Sequence, residues 1–151
     1  MPLVRISLQA GKPDLYRTTL SNEVYQAMRE TLAIPEGDRF HIISEHDTGQ
    51  LVADPNFMGM KRSADFVLIQ VFLSRGRTTK IKQALYHSIA QRLARSLGIQ
   101  PDDVMIVLTE VGLEDWSFGR GEAQYVLHPP AWASEKEKLS AESRNVAKKL
   151  D

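Results

Sequence analysis

Cysteine is absent from the 151 residues, which excludes disulfides, thiolate metal sites and a cysteine nucleophile. Charge of one sign is absent as well: 19 basic and 19 acidic residues are interspersed and cancel. Nothing in that pattern offers a field for nucleic acid or an anionic membrane, and neither is expected as a partner. The four histidines, His41, His46, His87 and His128, lack a metal-ligand spacing such as H-E-x-x-H, so neither metal nor cofactor is expected. No apolar run approaches the ~20 residues of a membrane span, and the N-terminus lacks the basic start and apolar centre of a signal peptide. The expectation is a cytoplasmic protein. What remains is ordinary globular usage, 42% hydrophobic and 25% charged, over a length that suits one domain.

The first eight residues carry the most pointed feature. Pro2 stands at the head of an alternating strand pattern, with Leu3 (or Val4), Ile6 and Leu8 set against Arg5 and Ser7. Proline donates no backbone N–H, so it fits only the first position of a strand or an edge. If Met1 is removed, as a small second residue permits, the chain begins with a secondary amine on a rigid strand. Such an amine can act as a base, an acid or a nucleophile toward a carbonyl. The dipeptide alone is equally an ordinary start.

Gly11 to Asp14 reads as a turn into a helix whose apolar stripe is Leu20, Val24, Ala27, Met28 and Leu32, ending before Pro35. Pro35 to Asp38 is turn chemistry, and Arg39 to Glu45 a second strand. Asp47 to Ser63 reads as a long loop or a short irregular hairpin. Asp65 to Leu73 is a strand apolar enough to be buried on both faces. After a turn at 74–77, Thr78 or Thr79 caps a helix with the stripe Ile81, Leu85, Ile89, Leu93 and Leu97, closed by Gly98. Pro101 to Asp103 is a turn, and Val104 to Glu110 a fourth strand. Asp115 to Gly121 and Tyr125 to Leu127 suggest a tight hairpin over a pocket or a neighbouring subunit, with core filling by Trp116 and Phe118 as the plain alternative. Pro129-Pro130 breaks the chain, and Ser134 to Lys149 reads as a solvated helix or partly ordered tail.

The pattern repeats at an offset of 65 residues without a gap: Leu3 matches Leu68, Gly11 Gly76, Leu20 Leu85, Gln26 Gln91, Leu32 Leu97, Asp38 Asp103 and Glu45 Glu110. Two right-handed β-α-β units merge most simply into one four-stranded sheet with both helices on one face, an α+β fold. The domain is set at residues 2–128, with pseudo-repeats of about 2–63 and 64–128, and residues 129–151 as a C-terminal tail or helix. The other sheet face is left apolar and uncovered, which predicts an oligomer.

Arg75 and Arg77 are a candidate carboxylate clamp, since residues i and i+2 at a strand end point to one side and Gly76 lets the backbone approach. Two solvated loop arginines are the bland alternative, as a turn-capping role is for Asp38.

Together the N-terminal proline, the repeated β-α-β unit and the R-x-R sequence resemble the tautomerase superfamily, and within it the malonate semialdehyde decarboxylases. The resemblance runs from Pro2 to about Leu127 and is carried by Pro35 to Arg39, Ser74 to Arg77, Pro101 to Val104 and Asp115 to Gly121. It implies a fold like that of macrophage migration inhibitory factor, assembled as a homotrimer. It implies a small carboxylate-bearing oxo-acid substrate, with Pro2, Asp38, Arg75 and Arg77 catalytic and Arg75, Arg77, Trp116, Phe118 and Tyr125 in substrate contact. It implies decarboxylation of a 3-oxo acid such as malonate semialdehyde, with a hydratase side activity. Keto–enol tautomerisation of 2-oxo acids and a non-enzymatic binding role are the alternatives. The chain departs from the family pattern in having Gly76 where Pro is expected between the arginines and Tyr125 where Phe is expected.

Overall fold

The computed structural model describes residues 1–133 and Glu135. The elements are β1 (Pro2–Gln9), α1 (Asp14–Leu32), β2 (Phe40–His46), β3 (Val67–Ser74), α2 (Thr79–Leu97), β4 (Val104–Val111) and the one-turn helix α3 (Gln124–Leu127). The strands form one sheet in the order β2-β1-β3-β4. β1 runs parallel to β2 and antiparallel to β3. Two compact units divide the chain: Met1–Leu73 with Arg77–Thr109, and Ser74–Gly76 with the chain from Glu110 onward.

The repeat is a structural one. β3 and α2 begin and end 65 residues after β1 and α1. The two helix exits also correspond. α2 closes on Gly98 at φ 69°, and α1 closes on Ala33 at φ 53°, a left-handed backbone that disfavours any residue with a Cβ. Thr78 caps α2 by accepting the Ile81 N–H, and Pro13 precedes α1 without a side-chain cap.

The core of the first unit lies between the sheet and the helices. Val4, Ile6 and Leu8 of β1 and Val67, Ile69, Val71 and Leu73 of β3 meet Leu20, Val24, Met28, Leu85, Ile89 and Leu93 from the helices. Each such aliphatic side chain contributes about 1.5–3 kcal/mol relative to exposure, before ordering entropy is subtracted. Across the helix pair, Arg92 joins Glu23 at 2.8 Å and Glu30, while Ser96 donates to Glu23 at 2.9 Å. The opposite sheet face is apolar and open: Phe40, Ile42, Met105 and Val107 are each 39–49% exposed.

Two sequence expectations are corrected and one open alternative is decided. β3 starts at Val67 rather than Asp65, and Val67, Ile69, Val71 and Leu73 on its helix-facing side are buried while Leu68 and Phe72 are not fully covered among the described residues. Of the two readings of Asp47 to Ser63 the loop is the one found, built around a 3₁₀ turn at Phe57–Gly59, and no hairpin forms there. The hairpin expected over 115–127 does not form. Gly119, Arg120 and Gly121 all have positive φ (143°, 61° and 70°), which curls the chain instead of extending it. The Gln124 side chain then accepts from Phe118 N and donates to Gly119 O, taking groups that a ladder would pair. The expectation for the tail falls, apart from Glu135, outside the described residues.

Candidate active site

Strand register brings Asp38 to the amino terminus. Leu3 lies opposite Phe40 in the parallel β1–β2 pair, so two residues back along each strand Met1 meets Asp38. The turn that carries Asp38 is fastened to α1. Gly37 N donates to the Tyr25 hydroxyl at 2.9 Å. The Arg39 guanidinium donates to Ser21 and Asn22 at 2.7 Å and lies 5.2 Å over the Tyr25 ring. Asp38 is thereby held rather than left on a mobile loop.

The Met1 amine stands 3.4 Å from Asp38 Oδ2, with both side chains only 12% exposed. Asp38 Oδ1 is buried and makes no hydrogen bond among the described residues. A carboxylate oxygen left this way is costly unless something else occupies it. Burial pushes the amine below its usual value of 8.0; Asp38 opposes that shift and the nearby Arg77 charge reinforces it. Pro2, buried at the head of β1 and opposite Leu73, has its nitrogen in the peptide bond to Met1. The amine at Asp38 therefore occupies the place next to the proline nitrogen. Pro2, Asp38 and Arg77 lie in the first unit, and the structure brings the amino terminus, Asp38 and Arg77 within electrostatic reach of one another.

Arg75, Trp116, Phe118 and Tyr125 belong to the second unit. Arg75 N donates to Val111 O at 3.1 Å. Gly112 N donates to the Asp115 carboxylate at 2.7 Å and shapes the turn that leads into Trp116. Trp116 stacks on Phe118 at 5.6 Å, and Phe118 meets Tyr125 edge-on at 4.7 Å. The row continues to Trp132, 5.9 Å from Tyr125. Rings at these separations and angles attract one another beyond simple area burial. The indole N–H of Trp116 is buried without a partner among the described residues. Gly76 takes φ +112°, a conformation proline cannot adopt, so the arginine loop follows a different path from one with Pro at that position.

Sequence reasoning missed three supporting residues. Tyr25 stands outside the apolar stripe read in the first helix, and Arg39 reads as the start of a strand. Trp132 lies beyond Pro129-Pro130, in the stretch read only as a tail or helix; an isolated Trp after a Pro pair was the available signal.

Comparisons place this architecture in a known family. Family profiles described as tautomerase enzyme match residues 38–119 and residues 2–61. A probable tautomerase of Bacillus subtilis (strain 168), YusQ, is 37% identical over 126 residues, covering 83% of this chain and 99% of its own. The chain belongs to the tautomerase family. Among solved structures, FG41 malonate semialdehyde decarboxylase inhibited by 3-bromopropiolate is 39% identical with a TM-score of 0.80, covering 87% of this chain and 99% of that one. A fused 4-OT solved as a symmetric trimer shares the fold at a TM-score of 0.67 and 23% identity, over 80% of this chain and 94% of that one.

Proposed function

We propose that this tautomerase-family enzyme decarboxylates a 3-oxo acid such as malonate semialdehyde once Met1 is removed. The observation that carries the reading is the Asp38 carboxylate 3.4 Å from the terminal amine, with its second oxygen buried and unpartnered. With Met1 gone, the amine is the secondary amine of Pro2, intrinsically more basic than a primary one. Asp38 favours its cationic form. The cation hydrogen-bonds the aldehyde oxygen while Arg77 and Arg75 hold the carboxylate. The C–C bond then breaks, its electrons pass toward the carbonyl as an enol, CO2 leaves, and protonation at carbon gives acetaldehyde. Asp38 is also placed to activate water, which accounts for a hydratase side reaction. Trp116, Phe118 and Tyr125 supply the apolar wall against which charge is lost. The 39% identity to a malonate semialdehyde decarboxylase supports this reading.

A second reading is keto–enol tautomerisation of a 2-oxo acid. Burial lowers the pKa of the Met1 amine, and the same burial acting on the Pro2 amine of the processed chain would favour a neutral base, which shuttles a proton between oxygen and carbon. The YusQ relative is named a probable tautomerase. The enzyme is proposed to act in the cytoplasm as a homotrimer, with the open sheet face turned to its partners. Among the described residues no helix is long and apolar enough to cross a membrane, and no group of three potential ligands could hold a metal.

The test is NMR of malonate semialdehyde turnover on protein whose mass shows loss of Met1, beside Pro2→Ala. Acetaldehyde and CO2 that depend on Pro2 are expected. No product, with ketonisation of phenylenolpyruvate by the same protein, moves the assignment to tautomerase. Silence with both substrates overturns the enzymatic reading in favour of binding.

A further inference from the structure

By the repeat, the end of β1 has the same place in the first β-α-β unit that the end of β3 has in the second. A cavity of about 200 Å3 lies there, entirely within the first unit. Leu51, Ala53, Pro55 and Phe66 form its apolar wall, and Arg62 its charged one. At the 65-residue offset, Leu51 and Ala53 correspond to Trp116 and Phe118, so smaller side chains occupy these positions of the first copy.

Arg62 is the unusual member. Its guanidinium donates to the Asp54 carbonyl at 2.9 Å and lies 5.5 Å over the Phe66 ring. Its Nε is buried without a hydrogen-bond partner, and no carboxylate pairs with it among the described residues. The nearby acids are already engaged. Asp65 is held by Lys12 at 2.5 Å, Asp102 accepts from Lys61 N at 2.9 Å, and Asp54 accepts from Asn56 N at 2.8 Å. Asp103 takes Ser63 N and Oγ at 2.6 and 2.7 Å. The polar neighbour Gln9 donates to Thr48 at 3.4 Å. A half-buried guanidinium with an unused donor, no counter-ion and an apolar wall is built for one carboxylate with a compact apolar body.

We propose that this cavity is a second, non-catalytic ligand site that takes a small monocarboxylate no larger than about the size of benzoate. The carboxylate receives the Arg62 Nε–H, and the body of the ligand packs on Leu51, Pro55 and Phe66. The proposal does not depend on which reaction the amino-terminal site performs.

Benzoate is the probe, titrated into the full chain while the Arg62 Nε–H and Ala53 methyl signals are followed by NMR. Both signals are expected to shift saturably at millimolar benzoate and to do so unchanged in Arg77→Ala. Ala53→Leu fills the cavity and should abolish the Nε shift while the rest of the spectrum is preserved. Arg62→Gln should weaken binding, read at the Ala53 methyl, by about tenfold or more. No Nε shift in the wild type, a shift that survives Ala53→Leu, or one lost in Arg77→Ala would each overturn the proposal.

Discussion

Asp38 and Asp103 occupy equivalent positions in the two β-α-β units and have opposite surroundings. Asp103 is 1% exposed, with both carboxylate oxygens bonded to Ser63. Asp38 has one oxygen toward the terminal amine and the other unpartnered. Asp103 is structural by this measure, and Asp38 is free for chemistry. Asp103→Asn should therefore cost about 1–3 kcal/mol of stability in urea unfolding, because it weakens a buried charge-assisted pair. Asp38→Asn should leave the unfolding midpoint nearly unchanged and lower kcat/KM by about 10²-fold or more. A stability loss at Asp38 equal to that at Asp103 would contradict the division.

In the chain that retains Met1, Asp38 raises the amine's pKa and Arg77 lowers it, while burial sets the net downward direction. Asp38→Asn should move the amine's titration to still lower pH, and Arg77→Ala should move it upward. The pH dependence of N-terminal acylation reads both directly.

His41 provides a stability switch in acid. Burial first, then the Arg39 charge, lowers its pKa from 6.5 to about 4, with Nδ1 at 2.8 Å from Ser21 Oγ. The unfolded chain binds the proton between these values and the folded chain does not. Stability from this group is therefore full above pH 6.5 and falls as pH drops toward about 4, by up to about 3 kcal/mol. His41→Gln should flatten that part of the urea-midpoint profile. An unchanged slope would assign the acid sensitivity elsewhere.

Ala33 sits in the left-handed position that Gly98 fills in the second repeat, at φ 53° and ψ 38°. Ala33→Gly should stabilise the fold by about 0.5–1 kcal/mol, as relief of the Cβ clash exceeds the added chain entropy. Gly98→Ala should destabilise it by a similar amount. Thermal melts of the two variants test the pair.

The open sheet face makes the assembly sensitive to a single charge. Val107 is 39% exposed on that face, while Ile69 is fully buried on the other. Val107→Lys should dissociate the proposed trimer in sedimentation and leave helix content intact. Ile69→Ala should instead cost about 2–5 kcal/mol of folding stability.

The elements were largely legible because their signals are local. The stripes in α1 and α2, the helix stops at Pro35 and Gly98 and the 65-residue repeat all lie within short windows. What failed was also local in form but not in cause. Residues 115–127 carry two glycines among aromatics, a hairpin composition, yet the Gln124 side chain and the positive φ of Arg120 dictate a curl. The contrast between Asp38 and Asp103 was invisible, since both are the last residue of a Pro-led turn before a strand. His41 looked like one polar residue in a strand, and only packing against Ser21 and Tyr25 makes it a half-buried base.

By itself the sequence determined the repeat, the two amphipathic helices, the sheet with one face left apolar, and the placing of Pro2 at the head of a strand. Periodicity and turn chemistry depend on neighbours within a few residues, so they survive in one dimension. Tertiary structure decided that Asp38 meets the amino terminus, that Asp103 does not stay free, and that Arg62 lines a cavity without a counter-ion among the described residues. The first two outcomes depend on strand register and on partners 37 and 40 residues away, the third on how the loop around Arg62 folds, and burial then sets the cost of each charge.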